Sequence, residues 1–206
     1  VIKELENLID AFDCYSFRDE SDNLNLNRKW LLEYCKLLVP LGMAWKGHGR
    51  ADLLDEDCVI AMKEAGLCEF GMGLESADPE VLKLANKHET VEDHADAIRL
   101  LKKHGVVAKT YFVCGLPGET ANTIRLNMKF MRNVKPDKWT LARFTPYPGC
   151  DVWSHPDKYK AHIGEDYRHY WNFPDKLQIT YDNVTEEELN NRYAEFKAFL
   201  ESNTWR

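Results

Sequence analysis

From Val1 to Gly149 the chain alternates short β-branched or aromatic runs with longer amphipathic segments, and few residues are left over to connect them. This alternation constrains the fold more than any other feature. A strand, a helix and a second strand joined by short links form a right-handed crossover and a parallel sheet. Ile2, Leu5, Leu8, Ile9 and Phe12 fall at helical spacing and predict an opening helix. Strands are expected over 14–18, 43–47, 68–74, 106–114 and 138–144, where residues suited to a pleated, buried surface gather. Between them, Leu31, Tyr34, Cys35 and Leu38, then Val59, Met62 and Ala65, then Ala95, Ile98 and Leu101, then Ile124, Met128 and Met131 each mark one face of a helix. Asn25 or Asn27, Asp55 and Thr120 are candidate N-caps, and Gly66 and Gly105 suit helix ends. The expected class is α/β: a partial (β/α) barrel with parallel strands.

In a parallel sheet every strand leaves at the same edge, and barrel enzymes place their chemistry there. The exits carry Asp19-Glu20, His48-Gly49-Arg50, Glu75-Ser76, Gly115 to Glu119, and Pro146 to Gly149. The fourth exit is the most unusual. A strand runs into Gly115-Leu116-Pro117-Gly118, and Thr120 then opens a helix. Glycines allow close backbone approach, and a helix N-terminus offers N–H groups to an anion. A plain strand-to-helix turn and an unrelated α/β enzyme holding a phosphorylated ligand at Gly115 to Thr120 both fit this stretch alone. Only Lys109 and Arg125 lie near it in sequence to serve a phosphate.

A chain of 206 residues with 44% hydrophobic and 30% charged residues can bury a full core. The net charge of −7 does not indicate a nucleic-acid surface made by bulk charge. No apolar run reaches the roughly 20 residues of a membrane span, and a cytoplasmic location is expected. The six cysteines, Cys14, Cys35, Cys58, Cys68, Cys114 and Cys150, lack the close spacing of metal-ligand pairs and read as reduced thiols. After Gly149 the pattern changes. Residues 154–206 are read as an appendage to a domain over 1–153: an irregular aromatic cover, then a helix opened by the capping box Thr185 to Glu188. His155, His162 and His169 recur every seven residues, and packing in that cover is preferred for them over a metal site.

Five motifs in order carry a family resemblance: Arg50-Ala51-Asp52, Lys63-Glu64-Ala65-Gly66, Gly73-Leu74-Glu75-Ser76, Gly115-Leu116-Pro117-Gly118-Glu119 and Thr145-Pro146-Tyr147-Pro148-Gly149. Together they resemble the core of the radical S-adenosylmethionine superfamily, most of all its Fe–S oxidoreductase branch with methylthiotransferase-like and cobalamin-associated members. The resemblance implies S-adenosylmethionine and a [4Fe–4S] cluster as cofactors of the parent protein, and cobalamin in some members. It implies that the cluster cleaves S-adenosylmethionine to a radical that abstracts hydrogen. Asp19 or Glu20 would accept the methionine amino group, and Arg50 would pair with its carboxylate. Glu75 would bond the ribose or amino group. Gly115, Leu116 and Pro117 would border the adenine, with Pro146 on the far side. A salt bridge between Arg50 and Glu75 is the structural alternative.

The family's cluster sits on a Cys-x3-Cys-x2-Cys loop after its first strand, and no such loop occurs here. The expectation is therefore a fragment, inactive as given, whose first strand and cluster loop belong to a missing N-terminal part. No bound cofactor is expected, and self-association through the exposed sheet edge is. A degenerate barrel serving as a binding or interaction module is the competing reading.

Overall fold

A computed structural model of the chain describes residues 1–171, 173 and 177–203. The expected appendage over 154–206 therefore includes residues 172, 174–176 and 204–206, which lie outside the described residues. The first part of the chain runs α1 (Ile2–Phe12), β1 (Ser16–Arg18), α2 (Arg28–Leu38), β2 (Ala44–Gly49), α3 (Glu56–Glu64), β3 (Leu67–Glu75), α4 (Pro79–Leu84), α5 (Val91–Lys103), β4 (Val107–Cys114), α6 (Ala121–Val134) and β5 (Lys138–Arg143). The five strands form one sheet in the order β1-β2-β3-β4-β5. Neighbours follow chain order, the topology of a partial (β/α) barrel, as the alternation predicted. Then come α7 (Asp151–Ser154), α8 (Pro156–Tyr159), β6 (Ala161–Ile163), β7 (Ile179–Tyr181) and α9 (Glu186–Ser202). β6 and β7 pair antiparallel. That ribbon was not expected, because three-residue strands leave no readable alternation.

Contacts cluster in two units. The first comprises Val1–Gly73, Glu92–Thr110 and Pro136–Lys138. Its core joins the inner faces of α2, α3 and α5 to one face of the sheet through Leu31, Leu38, Met62, Phe70, Ile98 and Leu101, all at most 1% exposed. Trp45 on β2 is fully buried. Its ring stacks on Phe17 at 5.8 Å, and its Nε1 donates to the carbonyl of Ala65 at 2.8 Å. Asn27, not Asn25, caps α2, and Asp55 caps α3 by accepting from the backbone of Cys58. In β2 the ladder runs on through His48 and Gly49, opposite Gly71 and Met72, so these two residues are strand where a loop was expected. Pairing with a longer neighbour overrides the weak strand propensity of glycine.

The second unit comprises Leu74–Val91, Tyr111–Lys135 and Trp139–Arg206. Phe112 on β4 meets Phe130 on α6 and Phe196 on α9 edge to face, at 6.3 and 5.0 Å. Arg143 lies over the ring of Tyr193, 3.9 Å from its centroid. A smaller apolar cluster holds Val152, Ala161, Leu177, Ile179, Tyr181 and Leu189. The expected capping box forms at Thr185, and Thr120, read only as an N-cap, forms a second one with Thr123. The three histidines each face a different aspartate: His155 with Asp151, His162 with Asp182, and His169 with Asp166.

Candidate cofactor-binding residues at the strand exits

In the first unit, Asp19 follows β1 directly. Its Oδ2 accepts from the Tyr34 hydroxyl at 3.2 Å and its Oδ1 from the backbone N–H of Ser21 at 2.9 Å. Burial, reinforced by the Asp19 charge, pushes the Tyr34 hydroxyl well above its ordinary range. Glu20 is bridged to Arg18 at 2.8 Å. Asp19 and Glu20 stand with Tyr34, Phe17 and the α1 residues Leu5, Leu8 and Phe12 on an open cleft of about 760 Å³.

Arg50 ends β2. Asn25, 2% exposed, holds its backbone from both sides: Asn25 Nδ2 donates to the Arg50 carbonyl at 2.7 Å, and the Arg50 N–H donates to Asn25 Oδ1 at 2.9 Å. A Cβ on Gly49 would collide with Asn25 Oδ1, so glycine at 49 is what lets this clamp form. The Arg50 guanidinium donates through Nε and Nη2 to both carboxylate oxygens of Asp52, at 2.9 and 2.8 Å. This planar fork is the geometry that grips a carboxylate. The sequence reading singled out Arg50 and missed Asn25, which it took only for a helix cap.

In the second unit, Glu75 is the last residue of β3 and takes a left-handed backbone, φ 64°. Its carboxylate accepts from Lys87 at 3.2 Å, and Lys87 also pairs with Glu89 at 3.3 Å. Burial raises the Glu75 pKa against the pull of Lys87, and the Glu89 charge raises it further. The turn after it is pinned by Asn127, whose Oδ1 accepts from the backbone of Ala77 at 2.7 Å.

The Gly115 turn is buried through Pro117, and Pro146 is buried as well. Gly115 has φ 89°, which a side chain would oppose. Both its backbone groups are engaged within the chain: its N–H donates to Glu119 Oε2 at 2.9 Å, and its carbonyl accepts from the Tyr181 hydroxyl at 2.8 Å. Arg192 on α9 donates to the Glu119 carbonyl at 2.8 Å. The Thr120 and Thr123 N–H groups go to each other's hydroxyls. The sequence suggested N–H groups open to an anion here. Instead the Glu119 carboxyl takes the Gly115 N–H, and the Thr120 and Thr123 N–H groups are also engaged, so these donors are not open to a phosphate.

Glu119 is the residue the sequence underrated. It is 6% exposed, and its Oε1 is buried without a hydrogen-bond partner. Burial raises its pKa to about 7, against the Gly115 N–H and the Arg192 charge. A neutral acid tolerates an orphaned oxygen at lower cost than a carboxylate does.

A family model described as the Radical SAM superfamily matches residues 34–131. The chain is 34% identical over 156 residues to the anaerobic magnesium-protoporphyrin IX monomethyl ester cyclase of Rubrivivax gelatinosus, covering 74% of this chain and 28% of that protein. It is 29% identical over 157 residues to an uncharacterized methyltransferase of Pyrococcus horikoshii, covering 75% of this chain and 34% of that protein. Among solved structures, the radical S-adenosylmethionine methyltransferase TsrM from Kitasatospora setae, with cobalamin and a [4Fe-4S] cluster bound, superposes with a TM-score of 0.77 at 16% identity, over 97% of this chain and 45% of that one. Over residues 34–131 the chain matches the radical SAM superfamily. It spans about a third of the length of the curated relatives it matches.

The family's two cofactors fare differently against these residues. Within the first unit, an acid at Asp19 and a guanidinium fork at Arg50 are groups of the kind that would hold the ammonium and the carboxylate of an amino acid. The cluster does not fit: among the described residues no group of three or more histidine, cysteine, aspartate or glutamate side chains could hold a metal ion. Cys35, Cys58 and Cys114 are buried, and burial pushes their thiols up, to about 12 and about 11 for the first two. Cys14, Cys68 and Cys150 are only partly buried.

Proposed function

We propose that this chain is the S-adenosylmethionine-binding part of a radical SAM iron–sulfur oxidoreductase or methyltransferase, with the cluster supplied by sequence outside it. The observation that carries the reading is Arg50: a guanidinium fork at the end of a parallel strand, with its backbone fixed by Asn25 and its fork already shaped to a carboxylate by Asp52. In the proposal, Asp19 or Glu20 takes the methionine ammonium, and Arg50 exchanges Asp52 for the methionine carboxylate. Glu75 takes the ribose hydroxyls or the amino group. Gly115, Leu116, Pro117 and Pro146 supply apolar surface for the adenine. Bound with a cluster, S-adenosylmethionine would supply a radical that abstracts hydrogen; the residues here bind and orient it. The cobalamin held by TsrM supports cobalamin in the parent protein.

Calorimetry with S-adenosylmethionine tests this. Weak binding is expected, because the cluster forms part of the complete pocket. Arg50→Ala and Glu75→Ala should each weaken it about tenfold or more, the loss of one charge-assisted contact. Binding indifferent to both changes would reject these assignments and favour an interaction module.

A further inference from the structure

Each of the five parallel strands contributes an ionisable side chain to a cleft on one face of the sheet: Arg18, Lys46, Glu69, Lys109 and Lys138. Arg18 stands opposite Lys46, and Lys46 opposite Glu69, in the strand register. Lys138 reaches Glu69 Oε2 at 2.6 Å, and Lys46 approaches the same oxygen at 3.6 Å. These residues line a cleft of about 600 Å³, floored by Ser16, Ala44 and Cys68. All lie in the first unit.

Stability does not account for this row. Barrel interiors are ordinarily filled with branched apolar side chains. Like charges directly opposite one another destabilise a sheet, yet Arg18 faces Lys46. The lining of the cleft holds four cationic side chains and one carboxylate, Glu69, in a chain whose net charge is −7. Burial and the neighbouring cations together lower the Lys109 pKa, although Glu69 opposes them. Charge left unbalanced at a cost is compensated when an anion arrives.

We infer that this cleft binds a small molecule carrying two or more oxyanion groups, held by Lys46, Lys109 and Lys138 with Arg18 at the rim. Ammonium groups act as point charges and do not demand the planar geometry of a single carboxylate. Lys46 lies four residues before Arg50 on β2, roughly 13 Å nearer the amino end. Lys46 is therefore set apart from Arg50 along the strand, whereas Arg18 at the rim pairs with Glu20, one of the proposed cofactor residues. S-adenosylmethionine carries a sulfonium charge and is not its ligand, so the inference stands or falls apart from the cofactor reading.

The test is calorimetry and thermal denaturation of the 206-residue chain with pyrophosphate and with citrate, at matched ionic strength. Saturable binding of pyrophosphate alone identifies a phosphate ligand. Citrate alone identifies a polycarboxylate, and both together identify recognition by charge. Lys109→Met and Lys138→Met should each weaken binding about tenfold. Glu69→Gln should tighten it several-fold, because it removes the carboxylate that competes with the ligand. A purely structural row would not give opposite signs. If Lys109→Met fails to fold, Lys46→Met, about half exposed, replaces it. No saturable binding of either anion overturns the inference, as does binding that ignores both the lysine and the Glu69 substitutions.

Discussion

Glu119 shows how a single side chain can set the chain's response to pH. Its pKa is raised to about 7 in the folded state, whereas an unfolded chain would lose the proton near the usual value for Glu. Between these values the native state holds more protons than the unfolded state, so stability falls as pH rises through that window and levels off above it. A shift of this size corresponds to about 3.5 kcal/mol at most. Glu75, also raised, adds a contribution of the same sign. The lowered carboxylates, Asp55, Asp151 and Asp166 among them, act in the opposite sense and at lower pH. Urea unfolding at pH 5 and pH 8 should therefore show the wild type weaker at pH 8, and Glu119→Gln should remove most of that difference. An unchanged slope in Glu119→Gln would assign the effect elsewhere. The sequence marked this residue only as the end of the Gly115-Leu116-Pro117-Gly118-Glu119 motif, with no role of its own. Burial and an orphaned oxygen are products of three-dimensional packing, and the glycines around Glu119 drew attention to backbone donors rather than to the acid that occupies them.

At the level of elements, the sequence was most legible where periodicity and caps agree. The α3 and α6 helices begin after Asp55 and Thr120 as read, and Gly66 takes the positive φ expected past a helix end. The extension of β2 through Gly49 was not legible, because the partner strand decides it. Neither was the clamp of Asn25 on Arg50, whose partners are 25 residues apart. The strand exits at Asp19, Arg50, Glu75 and Gly115 were readable because each ends a predicted run. Their partners Tyr34, Asp52, Lys87 and Tyr181 were not, because no local pattern names them. The clamp gives a prediction. In Gly49→Ala the new Cβ strikes Asn25 and approaches Phe70 at 3.1 Å. Overpacking of this kind costs about 1–3 kcal/mol. Thermal denaturation should show that loss, and S-adenosylmethionine binding should weaken with it although position 49 carries no ligand-binding side chain. Normal stability with normal binding would mean that the Arg50 backbone needs no clamp.

For the whole molecule, β1 lies at one end of the sheet order and is only three residues long. An open strand edge invites pairing with another chain. We expect concentration-dependent self-association by sedimentation velocity, with β1 amides protected only at high concentration. A strictly monomeric chain would leave α1 and the short length of β1 as sufficient cover. The central claim is that residues scattered along the chain bind one cofactor. Hydrogen exchange with and without saturating S-adenosylmethionine tests it most directly. The account predicts slowed exchange together at 19–21, 50–52, 75–77, 115–119 and 145–147, with the amino ends of the strands unchanged. Protection at only one of these segments, or at the amino ends instead, would contradict it.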